Sequence, residues 1–218
     1  MLLVNEVCVS SEFYLKPIKA ILFDLDGTLV HSSLDFRQIR QDIACPEGQD
    51  VLAYLDTLSE DEKLCAEKII MQHELEDAHS VQIIKGATFL LDRLQGYGIK
   101  TAIVTRNSQL ATQIKLQKSG LKAQKVLTRE DAPAKPKPDA LLRFSQLWKI
   151  SPQECVYVGD YLYDLQAANN AKMHACLYLD ESKAALPHYA DLADFICRDL
   201  KLFEQTLRTY MQSKNKNE

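Results

Sequence analysis

Two carboxylates and a glycine follow an apolar run near the start of the chain. The segment "AILFDLDGTLVHS" (20–32) places Asp24 and Asp26 two positions apart, with Gly27 and Thr28 directly after them. Residues i and i+2 of a strand point the same way, so both carboxylates are expected to face one pocket. Close carboxylates disfavour double ionisation unless a cation lies between them. The pattern suits Mg²⁺ with one nucleophilic and one proton-transferring carboxylate, and a turn capped by Asp26 is the alternative.

Two further motifs carry groups that suit a phosphate. "IVTRN" ends with Thr105, Arg106 and Asn107, whose hydroxyl and backbone N–H groups suit phosphate oxygens. The alternative is that Thr105 only caps a helix. "AKPKPDALL" places Lys135 before a Pro-x-Pro segment that stiffens the backbone. A lysine held there presents a fixed positive charge to a phosphoryl group, whereas without that constraint it is a solvated surface lysine.

A second acidic pair occurs in "VYVGDYLYD". Asp160 follows an apolar run, and Asp164 comes four residues later. Carboxylate oxygens are ligands that Mg²⁺ accepts, usually together with several waters. The alternative is a helix start at which acids are favoured by the helix dipole.

The elements that must position these residues alternate along the chain. Short apolar runs predict strands at 18–24, 100–106, 125–128, 155–160, 175–179 and 194–198. Amphipathic segments between them predict helices, several of which end at Gly. This alternation predicts an α/β fold, a Rossmann-like parallel sheet flanked by helices. In such sheets the ligand binds at the carboxyl ends of the strands, where all four motifs lie.

One segment interrupts the alternation. Residues 34–84 contain no convincing strand, and Ser59 to Glu62 form a capping-box pattern ahead of a longer helix. We interpret this block as a small helical cap over the strand ends. The predicted organisation is an N-terminal extension (1–16), a core (17–33 and 85–212), the cap (34–84) and a polar tail (213–218). The extension is interpreted as an edge strand or a loose segment, and His73, Glu74 and His79 in the cap as a solvated helix face.

Together the four motifs "DLDGT", "VTRN", "KPKPD" and "GDYLYD" resemble the haloacid dehalogenase superfamily of aspartate-nucleophile phosphatases. The resemblance extends over about residues 18–198. It implies a nucleophilic Asp24 and an acid–base role for Asp26. It also implies that Thr105 and Lys135 hold the transferring phosphoryl group, in a substrate site shared with Gly27, Thr28, Arg106 and Asn107. Magnesium ligands are implied at Asp24, Asp26 (through its backbone carbonyl) and Asp160, with Asp164 as an outer or alternate ligand.

The resemblance also limits the types of reaction to expect. Superfamily members that remove halide lack the acid at Asp26, which favours a phosphatase or a phosphomutase. A helical insertion after the first motif resembles the phosphoglycolate phosphatase-like branch. Two departures from that branch are His31–Ser32, where many relatives have Asp-Ser, and Lys172, where relatives commonly have Gly.

The composition of the chain indicates which kinds of binding partner to expect. The net charge of −4 over 218 residues gives no basic surface for nucleic acid. The sequence also lacks an apolar run of membrane-spanning length and a signal-peptide pattern. The six cysteines form no CxxC pair, which favours buried thiols in a reducing compartment. We therefore expect a cytoplasmic enzyme whose partner is a small phosphorylated metabolite; the sequence leaves the oligomeric state open.

The expected activity is a Mg²⁺-dependent phosphatase acting on a phosphoglycolate-like monoester through an aspartyl-phosphate. Two alternatives remain at this point. A sugar phosphomutase of the same superfamily would need the same core residues. A binding protein on this fold would not need the catalytic set, which is complete here.

Overall fold

A computed structural model describes the backbone of residues 2–4, 7–9, 17–180, 182–183 and 185–214, and the side chains of residues 17–180, 182–183 and 185–209. The strands of this part are β1 Leu2–Val4, β2 Val7–Val9, β3 Ala20–Phe23, β4 Val30–His31, β5 Gln82–Ile83, β6 Lys100–Val104, β7 Val126–Leu127, β8 Cys155–Gly159, β9 His174–Tyr178 and β10 Phe195–Cys197. The helices are α1 Phe36–Asp42, α2 Val51–Leu55, α3 Glu60–His79, α4 Ala87–Gly96, α5 Gln109–Ser119, α6 Asp139–Trp148, α7 Leu162–Ala171 and α8 Leu200–Lys214.

Eight strands form one sheet in the order β1-β2-β10-β9-β8-β3-β6-β7. The six strands from β10 to β7 are parallel to one another, and β1 and β2 extend the sheet with antiparallel pairing. Helices cover this sheet, which confirms the predicted Rossmann-like α/β fold. The six strands predicted by apolar runs correspond to β3, β6, β7, β8, β9 and β10.

The central strand β3 shows why the sheet needs helices on both faces. All four of its residues are fully buried, and successive side chains point to opposite faces. Ile21 and Phe23 pack in a cluster that includes Leu90 of α4 and Phe203 of α8. Ala20 and Leu22 pack in a second cluster with residues of α6 and α7. An apolar strand without polar alternation is typical of this two-sided burial.

The position of β3 in the sheet determines where a ligand can bind. It lies between β8 and β6 and is parallel to both. From β3 the chain first builds the sheet through β6 and β7, and then crosses to build β8, β9 and β10 on the other side. Neighbouring connections therefore diverge at the carboxyl end of β3. Such a switch point leaves a crevice in which α/β proteins bind ligands.

Between β3 and α4 the chain forms the helices α1, α2 and α3, which we call the cap. The cap has an apolar core of its own, which includes Ile39, Val51, Leu55, Ala66 and Ile70. Helix α3 begins as its sequence predicts, because the carboxylate of Glu62 accepts a hydrogen bond from the backbone N–H of Ser59 at 3.0 Å.

One expectation for this segment was wrong. Residues 34–84 do contain a strand, β5, and it pairs antiparallel with β4 at the base of the cap. Each strand is only two residues long, so no alternation of apolar and polar residues is visible in the sequence. This two-stranded connection joins the cap to the sheet on both sides of the inserted segment.

The two ends of the chain extend the core. Strands β1 and β2 lie at one edge of the sheet, beside β10; the rest of the predicted extension lies outside the described residues. Helix α8 runs to Lys214, into the segment predicted as a polar tail, and the remainder of that tail is outside the described part. None of the described helices combines the length and the apolar composition that a membrane span requires.

Lys172 stands where members of the resembled branch commonly have Gly, and the structure shows what this difference means for the backbone. It ends α7 with a φ of 58°, in the left-handed region where a side chain is strained. We expect Lys172→Gly to raise the free energy of unfolding by about 0.5–1 kcal/mol, because glycine adopts this conformation without that strain. Urea unfolding monitored by circular dichroism measures the change. Lys149 ends α6 at a φ of 55°, so Lys149→Gly should raise the free energy of unfolding in the same way.

The control is Lys68→Gly in the interior of α3. Glycine there should lower the free energy of unfolding by about 1 kcal/mol. A destabilising effect of glycine at position 172 would contradict the assignment of strain to the helix end.

Candidate active site

The site is built at the carboxyl ends of β3, β6 and β8, where two glycines allow close packing. Gly27 has a φ of 75°, and any Cβ at this position would overlap the carboxylate of Asp160. A Cβ on Gly159 would overlap the side chain of Asp164. Gly27 therefore allows the loop after β3 to approach the loop after β8, and Gly159 allows the first turn of α7 to pack on the end of β8.

Three carboxylates meet at this point. Oxygen atoms of Asp24, Asp160 and Asp164 all lie within 4.8 Å of one another. Burial raises the pKa of Asp24 to about 8; Lys135 acts in the opposite direction, and the neighbouring acids add to the increase. Burial, followed by the charge of Asp164, raises the pKa of Asp160 to about 7. Oxygen ligands whose mutual repulsion a divalent cation would relieve fit Mg²⁺.

Lys135 supplies positive charge to this cluster. Its ammonium group donates to Oδ1 of Asp24 at 2.7 Å, to Oδ1 of Asp164 at 2.6 Å and to the hydroxyl of Tyr157 at 2.8 Å. An ammonium group has three N–H donors, so this set uses all of them. Burial opposes the charge on Lys135, but Asp164 and Asp24 outweigh it and the pKa of Lys135 is raised. The alternative of a solvated surface lysine is therefore excluded.

The two oxygens of Asp24 differ in their surroundings. Oδ1 accepts from Lys135, whereas no hydrogen bond from the described residues reaches Oδ2. Asp24 also lines a cavity of about 630 Å³ that lies between the strand ends and the cap. An oxygen in this position suits attack on a ligand bound in the cavity.

Asp26 is held differently. Its Oδ1 pairs with the ammonium of Lys115, and its Oδ2 accepts from the side-chain amide of Asn107. Burial raises the pKa of Asp26, while Lys115 partly opposes that rise. Gly27 N–H is bonded to the carbonyl of Val30 at 2.8 Å, so the turn itself does not depend on the Asp26 side chain. The carboxylate is thus available for chemistry in the cavity, which it also lines.

The loop after β6 presents polar groups to the same cavity. Thr105 Oγ1 accepts from the backbone N–H of Asn107 at 3.1 Å. Ser108, and not Thr105, caps α5, since its Oγ accepts from Ala111 N–H at 3.3 Å. Thr105 and Asn107 are both buried and line the cavity.

The predicted site residues that line the cavity are Asp24, Asp26, Gly27, Thr105, Arg106, Asn107, Lys135, Asp160 and Asp164. Thr28 is not one of them. Its side chain is fully buried below the turn, and its hydroxyl has no hydrogen-bond partner among the described residues. His31, in β4, does line the cavity.

The cap closes over the cavity through ion pairs. Arg106 Nη2 lies 2.7 and 2.6 Å from the two carboxylate oxygens of Asp50, which caps α2. Glu74 of α3 pairs with Arg129 and accepts from Ser108 N–H at 3.0 Å. The interpretation of Glu74 as part of a solvated face was wrong, because its side chain is buried against the core. Helical periodicity alone could not show that a facing arginine compensates its charge.

Lys115, Asp77 and Tyr157 belong to this site and were not found from the sequence. Lys115 lies in "QIKLQKS", where a lysine reads as an ordinary exposed helix residue, and Asp77 lies in the acidic run of α3. Tyr157 reads as an apolar residue of β8, although its hydroxyl donates to Val104 O at 2.9 Å and contacts Lys135. A usable signal was the position of Tyr157, two residues before Gly159 in the segment that leads to Asp160.

Comparison with known proteins agrees with the family resemblance of the four motifs. The sequence profile of the haloacid dehalogenase-like hydrolases matches residues 38–178. A haloacid dehalogenase-like hydrolase domain-containing protein of Arabidopsis thaliana is 32% identical over 177 residues, which cover 76% of this chain and 72% of that protein. Hexitol phosphatase A of Escherichia coli is 32% identical over 160 residues, covering 65% and 74%.

Solved structures share the fold. The crystal structure of a predicted phosphoglycolate phosphatase from Haemophilus somnus superposes with a TM-score of 0.66 at 21% identity. The match covers 88% of this chain and 99% of that one. At this identity the likeness concerns the fold alone.

The carboxylate cluster predicts how Mg²⁺ affects stability. A carboxyl whose pKa is raised on folding destabilises the protein as the pH rises from its unfolded pKa toward its folded one. The metal-free protein should therefore lose stability as the pH rises from about 3.8 to about 7–8, because over that range Asp160 and Asp24 are ionised in the unfolded chain but still protonated in the folded protein. Mg²⁺ should raise the melting temperature, and the increase should grow over the same range because the ion no longer has to displace protons. Thermal scans with and without Mg²⁺ measure this.

Asp160→Asn should raise the melting temperature of the metal-free protein near pH 8 and remove most of the Mg²⁺ effect. Asp92→Asn, an exposed substitution on α4, should change neither. An undiminished Mg²⁺ effect in Asp160→Asn would contradict a metal site at this cluster.

Proposed function

The chain belongs to the haloacid dehalogenase-like hydrolases, and we propose that it is a phosphatase that hydrolyses small phosphate monoesters with Mg²⁺ through an aspartyl-phosphate at Asp24. The observation that carries this proposal is the placement of Asp24 beside Asp160, Asp164 and Lys135 at one cavity. Phosphoryl transfer asks mainly for positioning and charge neutralisation, which this set can supply.

Asp24 is the proposed nucleophile. Lys135 fixes its Oδ1, and Oδ2 takes no hydrogen bond from the described residues. As an oxygen of Asp24 forms a bond to phosphorus, the bond from phosphorus to the ester oxygen breaks. Asp26 gives its proton to the departing alcohol oxygen. Water then attacks the phosphorus, and its proton passes to Asp26, which releases inorganic phosphate and regenerates the Asp24 carboxylate.

The residues present fit a magnesium ion. The carboxylates of Asp24 and Asp160 and the backbone carbonyl of Asp26 are the proposed ligands. Bound there, Mg²⁺ would neutralise charge on the phosphoryl oxygens. Asp164 is better suited to hold Lys135, because its Oδ1 accepts from that ammonium and its Oδ2 accepts from Tyr161 N–H at 3.0 Å.

The phosphoryl group is proposed to bind between two positive regions. Lys135 lies on one side, and the loop from Thr105 to Asn107 lies on the other with its hydroxyl and N–H groups. This loop leads directly into α5, whose N-terminus favours an anion. Lys135 would keep its place while exchanging one of its carboxylate contacts for a phosphoryl oxygen.

The substrate is proposed to be a small phosphate monoester, with phosphoglycolate the first to test. The cavity of about 630 Å³ is within the usual range for ligand sites. Arg106 is neutralised by Asp50, whereas Arg40 donates to the carbonyls of Gln49 and Phe36. Arg40 is thus the cap cation best placed for a second anionic group. The likeness to hexitol phosphatase A makes hexitol phosphates the next candidates.

The test is phosphate release from a panel of phosphoglycolate, hexitol phosphates, sugar phosphates and nucleoside monophosphates, with and without Mg²⁺. Asp24→Asn should reduce release by about a thousandfold or more, because the nucleophile is lost. It should also abolish acid-stable labelling of the protein by a radioactive phosphate ester. The folded state should persist, since the substitution preserves shape and removes a buried charge.

Asp61→Asn, on the exposed start of α3, is the matched control and should retain full turnover. Undiminished release by Asp24→Asn would overturn the assignment of the nucleophile. Release that does not depend on a divalent metal would overturn the magnesium proposal.

A further inference from the structure

Lys115 is a fully buried lysine in the middle of α5. Its ammonium group pairs with Oδ1 of Asp26 and lies 2.6 Å from Oδ2 of Asp77. Burial of a lone ammonium is strongly unfavourable, so such a residue persists only with compensating carboxylates. Burial does oppose its charge, but Asp26 and Asp77 outweigh it and the pKa of Lys115 is raised. The lysine therefore remains a cation between the two acids.

The contacts of Lys115 orient Asp26. One carboxylate oxygen of Asp26 is held by Lys115 and the other by Asn107, both of which lie in or just before α5. Two donors on different oxygens fix the rotation of a carboxylate as well as its position. An acid–base group must lie within hydrogen-bond reach of the proton that it transfers, so control of this orientation bears directly on its function.

Asp77 connects the same lysine to the cap. It lies near the end of α3, and its Oδ1 accepts from the backbone N–H of Ser33 at 2.6 Å and from the Ser33 hydroxyl at 2.8 Å. Its Oδ2 accepts from the Ser32 hydroxyl at 3.0 Å as well as from Lys115. Ser32 and Ser33 form the segment that leads from β4 into the cap. One carboxylate therefore ties together the cap helix, the cap connection and Lys115.

We infer that Lys115 is a positioning residue for the acid–base carboxylate of Asp26, and that Asp77 anchors this lysine to the cap. The inference rests on the proposed function and deepens it. Lys115 acts through Asp26 and touches no substrate. In this arrangement the cap and the acid–base group form one connected unit, so that docking of the cap and orientation of Asp26 accompany each other.

The experiment uses the dependence of the reaction on the leaving group. An alkyl ester needs a proton on its departing oxygen, whereas para-nitrophenyl phosphate releases a stable phenolate and needs little help from an acid. The quantity kcat/KM includes only the steps up to departure of the alcohol, so it reports on proton donation and not on the later hydrolysis. We expect Lys115→Met to lower kcat/KM for the best alkyl ester of the panel by about 10–100-fold, and for para-nitrophenyl phosphate by no more than about threefold.

Lys118→Met is the matched control. Lys118 lies on the same helix and also reaches the cap, since its ammonium donates to the carbonyl of His79 at 2.9 Å, but it does not contact Asp26. Its substitution should leave the ratio of the two kcat/KM values unchanged. Lys115→Arg, which keeps the charge, should recover part of the alkyl-ester activity.

A double-mutant cycle separates a positioning role from a general effect on folding. If Lys115 acts through Asp26, then Lys115→Met should cause no further loss of para-nitrophenyl phosphate turnover in a protein that already carries Asp26→Asn. Asp77→Asn, which leaves Lys115 with a single carboxylate, should lower alkyl-ester turnover selectively, by about 3–10-fold. Circular dichroism and melting temperatures establish that each variant is folded.

The role of Lys115 would be overturned if Lys115→Met lowered kcat/KM equally for both esters. It would also be overturned if Lys115→Met caused an additive loss of para-nitrophenyl phosphate turnover in the Asp26→Asn protein. An unchanged ratio in Asp77→Asn would overturn its link to the cap. If Lys115→Met does not fold, the ratio of kcat/KM for the alkyl ester to kcat/KM for para-nitrophenyl phosphate is measured in Lys115→Arg and Asp77→Asn instead. A ratio that is unchanged in both variants would overturn the inference. Absence of phosphate release from every ester by the unmodified protein would instead contradict the proposed function.

Discussion

The concentration of negative charge at one edge of a sheet is the constraint on which the structure depends. Asp24, Asp26, Asp160 and Asp164 converge there, largely removed from water, and like charges so placed repel one another strongly. Lys135 and Lys115 each pair with two carboxylates, and each is itself buried. Charge is compensated in two separate groups, one around Asp24 and one around Asp26. This separation gives two neighbouring acids of one loop different surroundings, as the proposed nucleophile and acid–base roles require.

The rest of the architecture serves to bring these groups together. Strand β3 is apolar on both faces because helices cover both, so polar groups can appear only where the strand ends. Gly27 then leaves room for Asp160 of the neighbouring loop, and Gly159 leaves room for Asp164 at the start of α7. The cap adds Asp50, Glu74 and Asp77, and each meets a basic residue of the core. The same type of interaction, an acid paired with a partly or fully buried base, thus holds the site and docks the cap.

The sequence predicts the fold, and most of the candidate site residues that it indicates do line one cavity, for identifiable physical reasons. Strand periodicity and strand-end placement are local properties, so the positions of Asp24, Asp160 and Lys135 could be anticipated from short motifs. Lys115 and Glu74 could not, because their burial depends on partners distant in the chain. The pair β4 and β5 was missed because two-residue strands carry no periodic pattern. Thr28 was expected in the substrate site but does not line the cavity, since adjacency to Asp26 does not determine which side of a turn a side chain occupies.

The pairing of β3 with β8, in which Ala20 lies opposite Cys155, has a consequence for synthesis of the protein on the ribosome. The strand that leads to Asp24 is made well before either of its two neighbours, and β8 is the later of the two. At about 5–20 residues per second, this apolar strand lacks that neighbour for on the order of ten seconds. Unpaired apolar strands are prone to aggregation during this interval. The cap, whose apolar core is built from residues close together in sequence, can form meanwhile and follows β3 directly. The order of elements along the chain thus provides early local structure beside a strand that must wait for one of its neighbours.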